Sequence, residues 1–200
     1  MPADEVRRAS VERRTSETQI QVDLTIEGRG EAQVSTRIGF FDHLLTAFAR
    51  HGLFDLRVQA EGDLHVDQHH LIEDTGITLG QAFDRALSDR RGLARAGFFV
   101  FPMDEAVAFV TVDLCGRAFL HFDAAFASRF VGELEVALLE EFFFGFSQAL
   151  RAVVHVTMPY GRNDHHKAEA IFKAFGKAMK AAASIEERAR GDIPSTKGTL

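Results

Sequence analysis

HHLIE, residues 69–73, has a near copy in HHKAE, residues 165–169, 96 positions further along the chain. Each copy offers two adjacent imidazoles and a carboxylate, with an acidic residue, Asp67 or Asp164, just upstream. The duplication extends outward from the two boxes. GFFDHLLTAFARHG (39–52) precedes the first, with Phe41, Leu44, Leu45 and Phe48 at helical spacing and Gly52 as a stop. ELEVALLEEFFFGFSQAL (133–150) precedes the second and has the same helical character. A β-like run follows each helix, FDLRVQA (54–60) and AVVHVTM (152–158), and then a turn and the box. Further upstream, alternation in ETQIQVDLTIEG and GEAQVST predicts a hairpin through Gly28-Arg29-Gly30. DEAVAFVTVDL and RAFLHFD predict a second one through Cys115-Gly116.

Each half therefore reads β-β-β-α-β-α. The fold class is α+β, an internal duplication of two-layer halves with helices on one face of each four-stranded sheet. The boxes should open helices, with Asp67 and Asp164 in the N-cap region. Beyond the second box, Ala168, Ile171, Phe172, Phe175, Met179 and Ala182 follow one apolar stripe of a long amphipathic helix. The free faces of the sheets are expected to pack against each other or against a neighbouring subunit. The expected organisation is a single domain over 1–200, with halves at about 1–92 and 93–183 and a polar tail over 184–200.

Composition narrows the function classes. Two hundred residues with 46% apolar content can bury a sizeable core. A formal charge of −6 argues against a nucleic-acid partner, which needs a basic footprint. No apolar run approaches the ~18 residues that span a bilayer, so no membrane partner is expected. The opening MPADEVRRASVERR has no apolar stretch that resembles a signal-peptide core. Cys115 is alone in the apolar run VTVDLCG and reads as core, which makes a reducing cytoplasm the expected location.

On a helix, residues four apart share a face, whereas adjacent residues diverge by about 100°. His69 with Glu73 and His165 with Glu169 are therefore matched ligand pairs, while His70 and His166 point elsewhere. The economical arrangement is two metals, each taking one pair and one outlying histidine from the other half. His43 is a further candidate, and in the repeat Asp42-His43 falls opposite Glu140-Glu141. A single HHxxE is more often a pair of hydrogen-bonded histidines at a helix start; the duplication favours ligation. Imidazole and carboxylate donors suit Mn²⁺, Fe²⁺ or Zn²⁺, and a site with room for substrate suits octahedral Mn²⁺. Two-metal hydrolysis is an alternative chemistry. Ferritin-like storage is disfavoured, because it uses ExxH on four bundled helices and this chain is rich in β-structure.

ETQIQVDL, GFFDHLLTAFARHG, DQHHLIEDTGITLGQAF, PMDEA, DLCGRAFL, HHKAEAIFKAFGKAM and PSTKG, in that order, closely resemble imidazoleglycerol-phosphate dehydratases. The resemblance runs from about Glu17 to Leu200. It implies a fold like ribosomal protein S5 domain 2 and the dehydration of D-erythro-imidazole glycerol phosphate to imidazole acetol phosphate in L-histidine biosynthesis. It further implies two Mn²⁺ per active site holding an imidazolate. The implied assembly is a homo-oligomer of 24 subunits built from trimers, with active sites at subunit interfaces.

By the same resemblance, one ion takes His43, His69, Glu73 and His166, and the other takes His70, His165 and Glu169. The family often has a further histidine in an EHFF segment, where this chain reads Glu140-Glu141-Phe142-Phe143. Glu141 is the expected oxygen ligand in its place. Leu71 replaces a common threonine of the box. Glu17 is the implied acid/base and substrate contact. His51, Arg95, Arg117, Lys173, Ser195, Thr196 and Lys197 are the other implied contacts to the phosphate substrate. His65, His121 and His155 read as structural or surface residues, and Glu105, opposite Glu17 in the repeat, is assigned no catalysis.

Overall fold

The computed structural model describes residues 6–199; the first five residues and Leu200 lie outside the described range. The first half contains β1 (Arg8–Arg14), β2 (Thr18–Thr25), β3 (Ala32–Ser35), α1 (Gly39–Gly52), β4 (Asp55–Gly62) and α2 (His69–Leu87). Its sheet runs β1-β2-β4-β3, antiparallel except where β3 lies parallel to β4. In the second half come β5 (Ala96–Met103), β6 (Ala106–Asp113), β7 (Phe119–Asp123), a small hairpin of β8 (Phe130–Val131) and β9 (Leu134–Glu135), α3 (Leu139–Leu150), β10 (Val153–Tyr160) and α4 (Asp164–Ala183). That sheet runs β5-β6-β10-β7 with the same strand directions. The two four-stranded sheets and their helices form the α+β duplication read from the sequence.

The expected hairpins are the first correction. β2 does not pair with β3, nor β6 with β7; β4 and β10 stand between them. Alternation in Ile20, Val22 and Leu24 marks a half-buried strand but carries no information about its partner. The chain instead leaves β3, crosses over as α1, and returns beside β3 as β4, the usual parallel crossover. Gly28 serves close approach to the neighbouring strand: a Cβ there would meet the Asp55 nitrogen at 2.3 Å. The Asp55 carboxylate then accepts the Arg29 and Glu31 N–H groups at 2.8 and 3.0 Å. The hairpins that do form within the four-stranded sheets are β1–β2 and β5–β6.

The helix expected over 133–150 starts later. Leu134–Glu135 is strand and Val136–Leu138 a 3-10 turn before α3 begins. Gln68 accounts for this, accepting the Glu135 N–H at 3.0 Å and donating to the Glu133 carbonyl at 2.6 Å. Gly52 is still helical, and Leu53 takes the left-handed conformation (φ 57°) that ends α1, as Arg151 (φ 55°) ends α3.

The helices, not the sheets, meet in the middle. α1 packs on α4 and α2 on α3, with one sheet covering each side. The expectation that free sheet faces pack against each other within the chain is thus corrected. The helices carry apolar residues on two sides: Ala168, Ala170, Ile171, Phe172, Ala174 and Phe175 of α4 are all fully buried. Glycines let the backbones touch. A Cβ on Gly176 would stand 2.4 Å from the Phe48 carbonyl oxygen, and one on Gly80 2.6 Å from that of Phe146. Phe48 and Phe146 each meet Phe175, at ring separations of 4.8 and 5.0 Å. The outward face of the second sheet exposes Phe98, Val100, Phe109 and Phe119, whereas the first sheet shows Glu12, Gln19, Gln21 and Asp23. No helix among the described residues is long and apolar enough to cross a membrane.

Candidate metal centre

The two boxes open α2 and α4, and local hydrogen bonds fix their first turns. Asp67 accepts the His69 N–H at 2.8 Å. For α4 the cap is Asn163, which accepts the His165 N–H at 2.9 Å. Asp164, expected in that role, is a buried first-turn residue. Its carboxylate accepts the Ala127 and Ser128 N–H groups and pairs with Lys167 at 2.8 Å, pinning the loop before β8.

Helical spacing brings each histidine–glutamate pair together, His69 Nε2 to Glu73 Oε2 at 3.9 Å and His165 Nε2 to Glu169 Oε2 at 3.2 Å. α1 supplies a third donor: His43 Nε2 lies 3.4 Å from Glu169 Oε1. The ligand atoms of His43, His165 and Glu169 all lie within 4.8 Å of one another. Burial opposes charge on Glu169, but Lys173 at 2.8 Å, together with His43, outweighs it and holds the carboxyl below its ordinary pKa.

This grouping differs from the ligand sets implied by the resemblance, which put His43 with His69, Glu73 and His166. The reason is packing: α1 lies on α4, so His43 reaches the second box of its own chain. The duplication extends the point to Glu141. His43 and Glu141 each stand ten positions before the left-handed residue that ends their helix, and five before Phe48 or Phe146. Phe48 touches Gly176 as Phe146 touches Gly80, and Glu169 and Glu73 each precede that glycine by seven positions. By this register Glu141 holds on α3 the position that His43 holds on α1.

His70 and His166 turn away from their neighbours, with rings at 87° and 89° to those of His69 and His165. His70 Nδ1 lies 3.1 Å from Asp63 and 3.8 Å from Glu17, and the Asp63 hydrogen bond raises its pKa. His166 Nδ1 lies 2.9 Å from Glu105. That hydrogen bond, with backbone N–H groups of Asn163 and Arg162, lowers the Glu105 pKa to about 2. Asp63 carries no sequence signal, since it lies in the turn after β4, outside the helix that His69 opens. Glu105 was marked only by its place opposite Glu17.

The implied phosphate contacts gather elsewhere. Arg95, in the left-handed region (φ 69°), holds Asp113 through two bonds of 2.7 and 3.0 Å and donates to the Pro194 carbonyl at 2.8 Å. Its carbonyl accepts the Leu114 N–H, which brings the Cys115-Gly116-Arg117 turn alongside. Ser195, Thr196 and Lys197 follow Pro194, and Ser195 Oγ accepts the Lys197 N–H at 3.2 Å. The Arg95 N–H donates to the Ala182 carbonyl in the last turn of α4. His165 lies in the first turn, 17 positions earlier, about 26 Å away at 1.5 Å rise per residue. Lys173 and His51 lie between the two ends. His51 meets Phe101 edge-on at 5.2 Å, and burial, then Lys173 and Lys177, lower its pKa. A cavity of about 580 Å³ opens at the Arg95 end, lined by Arg7, Glu27, Leu53, Lys180 and Arg190, away from the histidines. His121 and His155 form a cross-strand pair at 5.4 Å on the outer sheet face, and Cys115 is buried.

The profile of the family described as imidazoleglycerol-phosphate dehydratase matches residues 36–179. The chain is 54% identical to the imidazoleglycerol-phosphate dehydratase of Roseiflexus sp. (strain RS-1) over 200 residues, covering all of both chains. It is 52% identical over 195 residues to that of Chloroflexus aurantiacus, covering 98% of this chain and 95% of the relative. Among solved structures, the dehydratase of Pyrococcus furiosus, in complex with (S)-C348, superposes with a TM-score of 0.80 at 36% identity, covering 95% of this chain and 100% of that one. The enzyme from Staphylococcus aureus subsp. aureus N315 gives 0.79 at 34% identity, covering 90% and 99%. A duplicated fold with matching boxes, relatives along its whole length and two superposable structures lead to one conclusion: the chain belongs to the imidazoleglycerol-phosphate dehydratase family, lyases that carry out a dehydration in histidine biosynthesis.

Proposed function

We propose that this chain dehydrates D-erythro-imidazole glycerol phosphate to imidazole acetol phosphate in the cytoplasm, using two Mn²⁺ per active site. The observation that carries the metal reading is the convergence of His43, His165 and Glu169 within 4.8 Å. Imidazole nitrogens and a charged carboxylate fit a divalent ion that accepts nitrogen and oxygen and keeps positions open for substrate. His69, Glu73 and Glu141 would hold the other ion, and His70 and His166 would each complete a site. Once bound, the ions supply Lewis-acid stabilisation of the negative charge that develops on the substrate ring.

The chain's own groups do the rest. Glu17 has its carboxylate exposed and 3.8 Å from His70, so it can reach a substrate held at that histidine. It takes a proton from the substrate carbon and returns one to the hydroxyl leaving the neighbouring carbon. Arg95, Arg117, Ser195, Thr196 and Lys197 bind the phosphate, where arginine's planar fork suits the oxygens. His51 and Lys173 supply further substrate contacts.

A separation of about 26 Å along α4 is too long for one small substrate to bridge. The phosphate group and the metal group of a single site therefore come from different copies. The exposed apolar face bearing Phe98, Val100, Phe109 and Phe119 supports assembly, which we take to be 24 subunits built from trimers. Incubating the protein with Mn²⁺ and imidazole glycerol phosphate tests the reading. Imidazole acetol phosphate is the expected product, abolished by a chelator; release of inorganic phosphate alone, or no reaction, would overturn it.

A further inference from the structure

We propose that Glu105 is a positioning residue for His166 and that Asp63 does the same for His70, one carboxylate dedicated to orienting one ligand of each metal ion. This rests on the metal reading above and goes beyond it. The two histidines are equivalent in the duplication, and each turns Nδ1 toward a carboxylate, at 2.9 Å for His166 and 3.1 Å for His70. In a neutral imidazole, a Nδ1–H donated to a carboxylate leaves the Nε2 lone pair free for an ion and fixes the ring plane.

The carboxylates are not equivalent to one another, and that difference is informative. Glu105 stands directly before β6 as Glu17 stands directly before β2. Asp63 directly follows β4, and the matching position after β10 is Gly161. The second half therefore uses the position of Glu17 to hold its histidine, while the first half uses Asp63 and leaves Glu17 a looser neighbour at 3.8 Å. Glu105 is also tied down. Its Oε1 accepts the Arg162 and Asn163 N–H groups at 3.1 and 2.7 Å, and its Oε2 takes the histidine. A carboxylate occupied in this way is a poor metal ligand and a poor proton carrier, although it clusters with Asp104 and His166. Asp104, 3.7 Å from Nε2 and largely exposed, can yield that nitrogen to an ion.

The test is Mn²⁺ affinity, followed by the electron paramagnetic resonance signal of free Mn²⁺ during titration. Glu105→Gln keeps an oxygen for the backbone donors but removes the anion facing His166. It should weaken one of the two ions about 10- to 100-fold and leave the other unchanged. Asp63→Asn should weaken the other ion by a similar factor. Adding Glu105→Gln to His166→Ala should cost nothing further, since the glutamate acts through the ring. A merely structural role would weaken both ions together, or add to the His166→Ala loss, and either result overturns the proposal. Wild-type affinity in both single variants overturns it as well. A wild-type chain without Mn²⁺ affinity would instead reject the metal reading beneath it.

Discussion

His43 of the first half and Glu169 of the second approach within 3.4 Å, joining the two repeats through a pair of ligand-type side chains. The equivalent pair on the other side of the duplication is Glu141 and Glu73. Glu141→Ala should therefore reduce tightly held Mn²⁺ from two ions per subunit to one. Adding His69→Ala should leave the remaining ion in place, whereas adding His165→Ala should remove it. Metal analysis after gel filtration reads the stoichiometry, and two tight ions in the single variant would contradict the assignment.

The glycine contacts that set this register make a stability prediction. Gly176→Ala and Gly80→Ala each push a methyl into a carbonyl oxygen and should destabilise the fold by about 1–3 kcal/mol. Gly39→Ala is the control, because nothing lies within 4 Å of a Cβ there, and its stability should hold or rise slightly. Urea unfolding midpoints would distinguish the three; equal midpoints would mean that the helices can part at no cost.

Glu17 is predicted to matter for turnover and not for folding. Glu17→Gln should keep its melting temperature and both ions while kcat falls by about 10²-fold or more. Near-normal kcat would reassign the proton transfer to another group.

The tail makes a separate claim. Deleting residues 195–200 removes Ser195, Thr196 and Lys197 but none of the histidines, so Mn²⁺ binding should persist while KM rises at least tenfold, about 1.4 kcal/mol of lost binding. An unchanged KM would exclude the tail from phosphate recognition.

Much of this molecule was legible in its residues, because helical periodicity and repeated spacing are local signals. GFFDHLLTAFARHG is helical from its first residue to its last, and both boxes open helices. Strand partners were not legible: β2 and β3 are close in sequence, yet β4 separates them only because α1 carries the chain back. The pairing of His43 with His165 depends on which helices touch, and that is decided by Gly176 against Phe48, a contact between residues far apart in the chain. The Asp63–His70 and Glu105–His166 bonds join turns at strand ends to helix starts, where no period applies.

The length of α4 has a genetic consequence. On the proposed assembly, in which its two ends serve different catalytic pockets, a polypeptide damaged at one end can still contribute the other to a mixed particle. Glu17→Gln, low in kcat, and a tail-truncated chain, high in KM, should regain part of the wild-type rate when co-assembled, since some pockets then draw every intact group from one parent or the other.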